Sequence, residues 1–499
     1  MSTSEVKKQP TWLEKRVCQD EIDKYLVDGK DFIPQDEIPL LLERHKNPDA
    51  KQVRDLLDKS LAIQSLTPAE TAVLLNVEDP QLLAEMKAAA LKVKLKVYDN
   101  RIVTFAPLYL GSYCVNNCSY CGFKADNINA ERKVLTPSEI VKEVEALTGK
   151  IGHKRLIVVY GEHPRNDVDY IVSSIKTIYS VKAKVKGHES CIRRVNVNAP
   201  PFSIEDLKKI RDAGIGTYQV FQETYHLPTY HRVHPANTIK GNYRWRLYSM
   251  HRALEAGIDD VGIGALFGLA DWRFDVMGLV YHSLELEERF GIGPHTISFP
   301  RLEPALNANM DQFSKTRVSD EDFKKLILVL RLAVPHAGMI ITARESAQIR
   351  KEAIEMGITQ TDASSNIGLG GYQKEKSAQD EKNQQFILGD TRSLEEVIAE
   401  FARMGYITSF CTAGYRCGRT GECIMELLRN GQEGKFCKLN AVLTFKEWVD
   451  DFASEETRRL AAPIIEREIN QIRQTNPQIF DLFMEYYRRI EAGERDLYL

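Results

Sequence analysis

The sequence lacks an excess of charge of either sign, a long apolar run and an abundance of cysteine. Its 499 residues include 67 Lys and Arg against 70 Asp and Glu, for a net charge of −3. Nothing in this balance indicates nucleic acid or an anionic membrane as a partner. The N-terminal stretch has no apolar signal-peptide core, and the most apolar helical run is interrupted by Arg331. We therefore expect a cytoplasmic protein that acts on small molecules, with no nucleic-acid and no membrane partner.

Cysteine is too sparse for a disulfide scaffold, since the chain has only nine. Seven of them fall into two tight groups, and such clustering indicates metal ligation. The other two, Cys18 and Cys191, are isolated. We expect these two to be ordinary thiols that pack as small hydrophobic side chains.

Short β-rich runs alternate with longer amphipathic runs from about residue 100 onward, which is typical of a parallel α/β architecture. The strand candidates are residues 103–110, 155–162, 193–199, 217–223, 260–268, 295–300, 339–345 and 360–365. Eight such units predict a closed (β/α)8 TIM-type barrel.

Three regions follow from this pattern: a helical N-terminal extension (1–95), the barrel (96–385) and a C-terminal region with the second cysteine group (386–499). We expect the N-terminal helices to cover one end of the barrel. Residues 136–139 read Thr-Pro-Ser-Glu, which predicts a helix start with a capping box.

The first cysteine group, Cys114, Cys118 and Cys121, directly follows the first strand and has the spacing CX3CX2C. Three thiolates on a 4Fe-4S cluster leave one iron open, and that iron can chelate the methionyl part of S-adenosylmethionine (SAM). A zinc site would need a second pair of ligands, and a thioredoxin-like pair would need only CxxC. The spacing is that of the radical SAM superfamily, and the aromatic residues Tyr120 and Phe123 are candidate SAM contacts.

Polar residues also end the second and fourth strand candidates. Gly161 and Glu162 stand where a carboxylate can accept hydrogen bonds from the SAM ammonium, and Glu223 and Tyr225 could contact the ribose or the ammonium. A turn or helix-start acid is the alternative for each residue taken singly. The His-rich stretch 225–234 contains no HExxH, so we interpret its histidines as hydrogen-bonding loop residues.

Two arginines end later strands: Arg301, and Arg344 with Thr342 two residues before it. An arginine at a barrel mouth is suited to capture a substrate carboxylate. The alternative is an ion pair with a neighbouring acid such as Glu345. All three residues are candidate catalytic or substrate-binding groups.

The runs PLYLGSYCVNNCSYCGF, GEHPR, FQETYH, DDVGIGALFGL, GPHTISFPR, TARE and GLGGY occur in this order. Together they resemble the aromatic amino-acid lyase branch of radical SAM enzymes, which includes the tyrosine lyases of FeFe-hydrogenase maturation and the 2-iminoacetate synthases. The resemblance implies a SAM-binding 4Fe-4S cluster and cleavage of tyrosine to p-cresol and dehydroglycine, with Arg344 and Thr342 holding its carboxylate. It further implies carbon monoxide and cyanide synthesis at a second cluster, a ferredoxin or flavodoxin as electron donor, and hydrogenase maturation proteins as partners.

The second cysteine group departs from the family pattern CX2CX22C. Cys411 and Cys437 are in register, but Gly414 stands where the middle thiol belongs. Glycine has no ligand atom, so a three-thiolate site requires Cys417 or Cys423, or a small molecule, in its place. The alternative is a remnant loop that holds no cluster.

By this resemblance, His282 lies near the position where the family has a histidine that binds an extra iron. An equal alternative is a histidine on a helix face whose hydrogen bonds are made within the protein. Two other functions remain open. One is a paralogue that stops at dehydroglycine or uses another aromatic amino acid such as tryptophan. The other is a non-catalytic Fe-S carrier or scaffold, which would form no 5′-deoxyadenosine.

Overall fold

The computed structural model describes residues 12–374, 379–430 and 434–499. Eight parallel strands form a closed barrel, because the first strand pairs with both the second and the last. The barrel strands are β1 (Arg101–Gly111), β2 (Arg155–Tyr160), β5 (Arg194–Asn198), β6 (Tyr218–Gln219), β7 (Val261–Gly264), β8 (Thr296–Ser298), β9 (Gly338–Ile341) and β10 (Gln360–Asp362). Each lies in or overlaps one strand candidate, so the predicted (β/α)8 barrel is confirmed.

Strand β1 is unusually long because it has three partners. Ala106 aligns with Leu156 of β2, and Val103 aligns with Gln360 of β10. Its first residues also pair with an additional parallel strand, β11 (Ile407–Ser409), and β3 (Ala183–Val185) forms a separate hairpin with β4 (His188–Ser190). Every residue of β1 is buried, as expected for a parallel strand covered on both faces.

The helices surround this barrel and extend it at both termini. They are α1 (Trp12–Arg16), α2 (Asp20–Asp23), α3 (Glu37–Arg44), α4 (Ala50–Leu61), α5 (Pro68–Leu75), α6 (Pro80–Tyr98), α7 (Pro137–Glu145), α8 (Val168–Ser180), α9 (Ile204–Asp212), α10 (Leu227–Val233), α11 (Tyr243–Leu247), α12 (Ser249–Glu255), α13 (Trp272–Phe290), α14 (Asp320–Ala333), α15 (Ala347–Ile354), α16 (Leu394–Arg403), α17 (Ala413–Arg416), α18 (Gly421–Arg429), α19 (Gly434–Phe452), α20 (Glu455–Thr475) and α21 (Pro477–Glu491). The capping box predicted before α7 is present: Thr136 and Glu139 each accept from the other's backbone N–H. None of the described helices combines the length and apolar composition needed to span a bilayer.

The N-terminal helices pack along the outer helices of the barrel, with α6 against α14 and α5 against α13. The Ser60 hydroxyl donates to the Leu332 carbonyl over 2.8 Å, and the Tyr98 hydroxyl donates to the His336 carbonyl over 2.7 Å. These contacts place the extension against the outer helices and the segment that enters β9, and Arg16 also reaches Glu162 after β2. That the extension covers one end of the barrel therefore stays a prediction.

The C-terminal helices form a second hydrophobic core around β11 and the start of β1. A buried ion cluster joins this region to the barrel: Glu447 accepts from Arg193 over 3.0 Å and lies 3.3 Å from the Lys154 ammonium. Burial opposes ionisation of Glu447, but the two cations outweigh it and lower its pKa to about 2. The carboxylate therefore stays charged across the physiological range.

Mild acid is expected to destabilise the fold through buried histidine. His153 is fully buried, its Nε2 lies 3.0 Å from the Ala363 carbonyl, and burial lowers its pKa to about 4. From pH 6.5 down to 4 the unfolded chain binds a proton that the native state does not. The free energy of unfolding should therefore fall as pH falls through this window, by about 3 kcal/mol for this group. Urea unfolding at several pH values measures this dependence. The free energy of unfolding should change less with pH in His153→Leu than in the wild type, and equal changes would contradict the assignment.

Candidate active site at the barrel mouth

A cavity of about 220 Å³ lies at the carboxyl ends of the barrel strands. In a barrel of this kind the strand ends and the loops after them form the reaction site. Ten of the residues singled out from the sequence lie on its wall: Cys114, Cys118, Cys121, Tyr120, Phe123, Gly161, Glu162, Glu223, Thr342 and Arg344.

The cysteine loop begins directly after β1 and directs its thiols toward this cavity. The Cys121 sulfur lies 3.4 Å from the Phe123 backbone nitrogen and 3.4 Å from the Gln385 amide nitrogen, both of which can donate to a thiolate. Burial raises the pKa of the Cys114 thiol, and it raises that of Cys118 to about 12. In the absence of iron these two thiols are protonated, so metal binding would release protons.

The donor set fits an iron–sulfur cluster better than a single ion. Among the described residues, no group of three His, Cys, Asp or Glu side chains converges closely enough to hold one metal ion. In a 4Fe-4S cluster each thiolate binds a different iron, so its sulfurs need not converge on one point. Three cysteines on one loop, all facing one cavity, meet that requirement.

Glycine at position 161 is required by close approach of the cysteine loop. A Cβ there would lie 2.3 Å from the Tyr113 carbonyl oxygen. The neighbouring Glu162 accepts a 2.8 Å hydrogen bond from Asn116, and the Arg16 guanidinium lies 3.5 Å from its other oxygen. Asn116 stands inside the cysteine motif, so it links the loop to this carboxylate.

Glu223 occupies a strained and strongly charged position at the end of β6. Its φ is +74°, in the left-handed region that side chains other than glycine rarely adopt. Lys240 lies 2.7 Å and Arg246 3.1 Å from its carboxylate. Burial alone would raise the pKa of Glu223, but the two cations lower it, so the group is ionised. Sequence reasoning missed both cations, because Lys240, in a short 3-10 turn, and Arg246, in α11, stand in no distinctive pattern.

Arg344 lies on the wall of the same cavity as the first cysteine group. Its guanidinium carbon lies 3.2 Å from the centre of the Phe386 ring, and burial lowers its pKa. The Thr342 hydroxyl oxygen is buried without a hydrogen-bond partner in the described part of the chain. These two groups are therefore available for a carboxylate and its neighbouring polar atoms.

Arg301, by contrast, is engaged elsewhere and is not on the cavity wall. It pairs with Glu345 through two guanidinium nitrogens and donates to Asp320 over 2.8 Å. The prediction that Arg301 acts at the substrate is thus corrected, because both acids compete for its charge. The alternative named from the sequence, pairing with Glu345, is the one observed.

Tyr225 and His282 also lie away from the cavity. The Tyr225 hydroxyl and His282 Nδ1 are 2.8 Å apart, and both side chains are buried. Phe32 and His251 pack around the histidine ring. The structure brings this pair together as part of an aromatic core, off the cavity wall, and the SAM contact of Tyr225 and the iron ligand at His282 stay predictions.

The second cysteine group is only partly assembled. Cys411, Gly414 and Cys437 line one small cavity of about 10 Å³, whereas Cys417 and Cys423 are exposed and outside its wall. Two thiols and a volume below that of one water molecule do not fit a three-thiolate cluster.

Comparisons with known proteins agree with the arrangement of residues around the cavity at the barrel mouth. The profile of the Radical SAM superfamily matches residues 108–274, and that of the Biotin and Thiamin Synthesis associated domain matches residues 298–407. The 2-iminoacetate synthase of Escherichia coli (strain K12) is 28% identical over 352 residues, covering 70% of this chain and 88% of that protein.

Two solved structures extend the match over nearly the whole chain. One is HydG, a maturase of the [FeFe]-hydrogenase, at 46% identity, with a TM-score of 0.88 and coverage of 94% of this chain and 100% of that one. The other is the FeFe-hydrogenase maturase HydG from Carboxydothermus hydrogenoformans, at 33% identity, a TM-score of 0.72 and coverage of 95% and 98%.

With the barrel and the cysteine-lined mouth, these matches define a radical SAM enzyme of the lyase type. Within that class, the chain belongs to the HydG family.

Proposed function

We propose that the chain is a tyrosine lyase that cleaves SAM reductively and breaks the Cα–Cβ bond of tyrosine, giving p-cresol and dehydroglycine. The observation that carries this proposal is one cavity whose wall holds the three cysteines and Arg344, whose guanidinium has no carboxylate within ion-pair distance among the described residues. Membership of the HydG family supports the substrate class.

Each residue on the wall has a distinct task. When bound, the 4Fe-4S cluster and SAM supply a 5′-deoxyadenosyl radical that abstracts hydrogen from the tyrosine amine. The three cysteines hold the cluster, Glu162 accepts from the SAM ammonium, and Glu223 accepts from its ribose hydroxyls or ammonium. Arg344, with the Thr342 hydroxyl, binds the tyrosine carboxylate and fixes the amine in place. Tyr120 and Phe123 help to exclude water.

The reaction consumes electrons that the chain does not itself hold. One electron cleaves SAM, and a second electron with a proton converts the benzylic radical fragment to p-cresol. A low-potential ferredoxin or flavodoxin would supply both. Dehydroglycine leaves with the nitrogen, the carboxylate and Cα of the substrate. The hydrogen atom taken from the amine ends in 5′-deoxyadenosine, and the added electron and proton complete p-cresol.

A second candidate is favoured by Gly414. Because the second cysteine group lacks its middle thiol, the chain could be a family member that releases dehydroglycine without making carbon monoxide and cyanide. Delivery of an iron–carbonyl product to hydrogenase maturation proteins would then belong to other members of the family.

The product profile tests both candidates. Reconstituted, reduced enzyme incubated with SAM and tyrosine should yield p-cresol and 5′-deoxyadenosine. Carbon monoxide and cyanide in addition would support the full maturase activity, whereas p-cresol alone would support the second candidate. Formation of 5′-deoxyadenosine with no p-cresol would exclude tyrosine, and tryptophan would be tested next. No 5′-deoxyadenosine at all would leave an Fe-S carrier.

Replacing Arg344 with methionine is expected to raise KM for tyrosine by about 10- to 100-fold, because a charge-assisted hydrogen bond to the carboxylate is lost. SAM cleavage without tyrosine should persist. Arg301→Met is the matched control: it removes the ion pairs with Glu345 and Asp320, so it should lower thermal stability and leave KM unchanged. A larger KM effect for Arg301→Met than for Arg344→Met would reverse the assignment.

A further inference from the structure

One loop, residues 379–390, joins the first cysteine group to the opposite part of the barrel mouth. Gln385 of this loop lies on the cavity wall. Its carbonyl accepts a 3.1 Å hydrogen bond from the backbone N–H of Gly122, and the N–H of Gly389 donates to the Ala343 carbonyl over 2.8 Å. The loop is therefore fastened to the cysteine motif through one residue and to the segment after β9 through another.

Two glycines permit this close approach of three backbone segments. A Cβ at Gly122 would lie 2.9 Å from the Gln385 carbonyl oxygen, and a Cβ at Gly389 would overlap the Arg344 carbonyl oxygen. Any other residue at either position would push the loop away from its neighbour. Both ends of the contact are thus suited to hold the loop against the cysteine motif.

The Gln385 side chain extends this contact to a thiol. The Tyr109 hydroxyl donates to Gln385 Oε1 over 2.9 Å, and Gln385 Nε2 lies 3.4 Å from the Cys121 sulfur. A thiolate can only accept a hydrogen bond, so the amide must turn its nitrogen toward the sulfur and its oxygen toward the tyrosine. Tyr109 therefore fixes the amide in the orientation that donates to Cys121.

A donor on a ligating sulfur affects the electron that a cluster accepts. Reduction adds negative charge to the cluster and its thiolates, and a hydrogen bond to one of those sulfurs stabilises the added charge. The reduction potential is therefore higher with the donor than without it. Cys121 also has a backbone donor, Phe123, but only the Gln385 amide can be removed by substitution.

We propose that Gln385 is a positioning residue for reduction of the cluster. Its amide, oriented by Tyr109 and held in place by residues 379–390, donates to Cys121 and raises the reduction potential toward that of the electron donor. This inference rests on the proposed function, which places the SAM-binding cluster on the three cysteines.

A redox titration of the reconstituted full-length protein tests this role without SAM or tyrosine, with electron paramagnetic resonance of the reduced cluster as the readout. Gln385→Leu should hold as much iron as the wild type and have a more negative midpoint potential. Gln384→Leu is the matched control. It removes the neighbouring amide, which lies 3.2 Å from the Gln379 side-chain oxygen and off the cavity wall, and should keep the wild-type midpoint.

The rate of SAM cleavage provides a second readout. With a reductant poised near the wild-type midpoint, Gln385→Leu should form 5′-deoxyadenosine several-fold more slowly than the wild type. A strongly reducing chemical donor should restore the wild-type rate, because only the driving force for reduction has changed. A rate that stays low with the strong reductant would contradict a role in setting the potential.

An unchanged midpoint in Gln385→Leu, or an equal shift in Gln384→Leu, would overturn the proposal. If Gln385→Leu binds no cluster, Tyr109→Phe decides. It keeps the amide but frees its oxygen, so a smaller shift in the same direction is expected, and a wild-type midpoint would overturn the proposal. A wild type that holds no cluster would refute this role and the proposed function together, whereas a reducible cluster without tyrosine lysis would refute tyrosine as the substrate and leave the measured potentials unaffected.

Discussion

Cys118→Ala is expected to abolish formation of 5′-deoxyadenosine. Cys118 is the middle thiol of the motif, is buried, and faces the mouth cavity with Cys114 and Cys121. Two thiolates cannot hold a cluster by three of its iron atoms, so about four Fe per chain should be lost with the activity. Iron and sulfide counting, electron paramagnetic resonance of the reduced protein and chromatography of the nucleoside product provide independent readouts.

The matched control is Cys18→Ala, which removes a half-buried thiol outside both cysteine groups. It should retain the cluster and product formation within about twofold, since Cys18 lines neither the mouth cavity nor the cavity of the second group. Retention of the cluster and of SAM cleavage in Cys118→Ala would refute the assignment of the first group. Loss of both in Cys18→Ala would show that the assay reports folding and not ligation.

Gly414→Cys is expected to create the missing ligand position of the second group. A Cβ built at Gly414 meets only the Arg419 carbonyl oxygen, at 3.6 Å, which is ordinary van der Waals contact. The new thiol would join Cys411 and Cys437 at one small cavity. With three thiolates available, the reconstituted variant should gain about four Fe per chain over the wild type.

Gly414→Ala is the matched control, because it adds the Cβ without the sulfur, and it should match the wild type in iron content. If the wild type already carries two clusters, Cys417→Ala and Cys423→Ala would show whether either thiol completes the second one. Their exposure, outside the cavity wall, argues against both. If Gly414→Cys and Gly414→Ala hold the same amount of iron per chain, the second cysteine group lacks more than one thiol for binding a cluster.

Much of the fold follows from local sequence. Parallel strands covered on both faces favour apolar and β-branched residues, so strands such as β2 and β9 stand out between helices, whereas β5 and β10 also carry polar residues. The capping box at Thr136 is equally local, because its two partners are three residues apart. The side on which the N-terminal helices pack could not be predicted, since an amphipathic helix shows that it buries a face but not against which surface.

The candidate active site also contains residues that the sequence predicts and residues that only the fold brings together. Cys114, Cys118 and Cys121 are adjacent in the chain, so their spacing alone predicts a shared centre. The cations that keep Glu223 ionised, Lys240 and Arg246, come from a 3-10 turn and from α11, which meet the carboxylate only in the folded barrel.

What the sequence by itself determined was the barrel, the three-thiol loop and the loss of a ligand at Gly414, because each depends on neighbours in the chain. Only the tertiary structure decided which strand-end arginine is available, since Glu345 pairs with Arg301 and leaves Arg344 in the cavity. It also decided that the His282 ring lies within hydrogen-bond distance of the Tyr225 hydroxyl in an aromatic core. Charge pairing and burial are long-range properties, set by which side chains the closed barrel brings within a few ångströms.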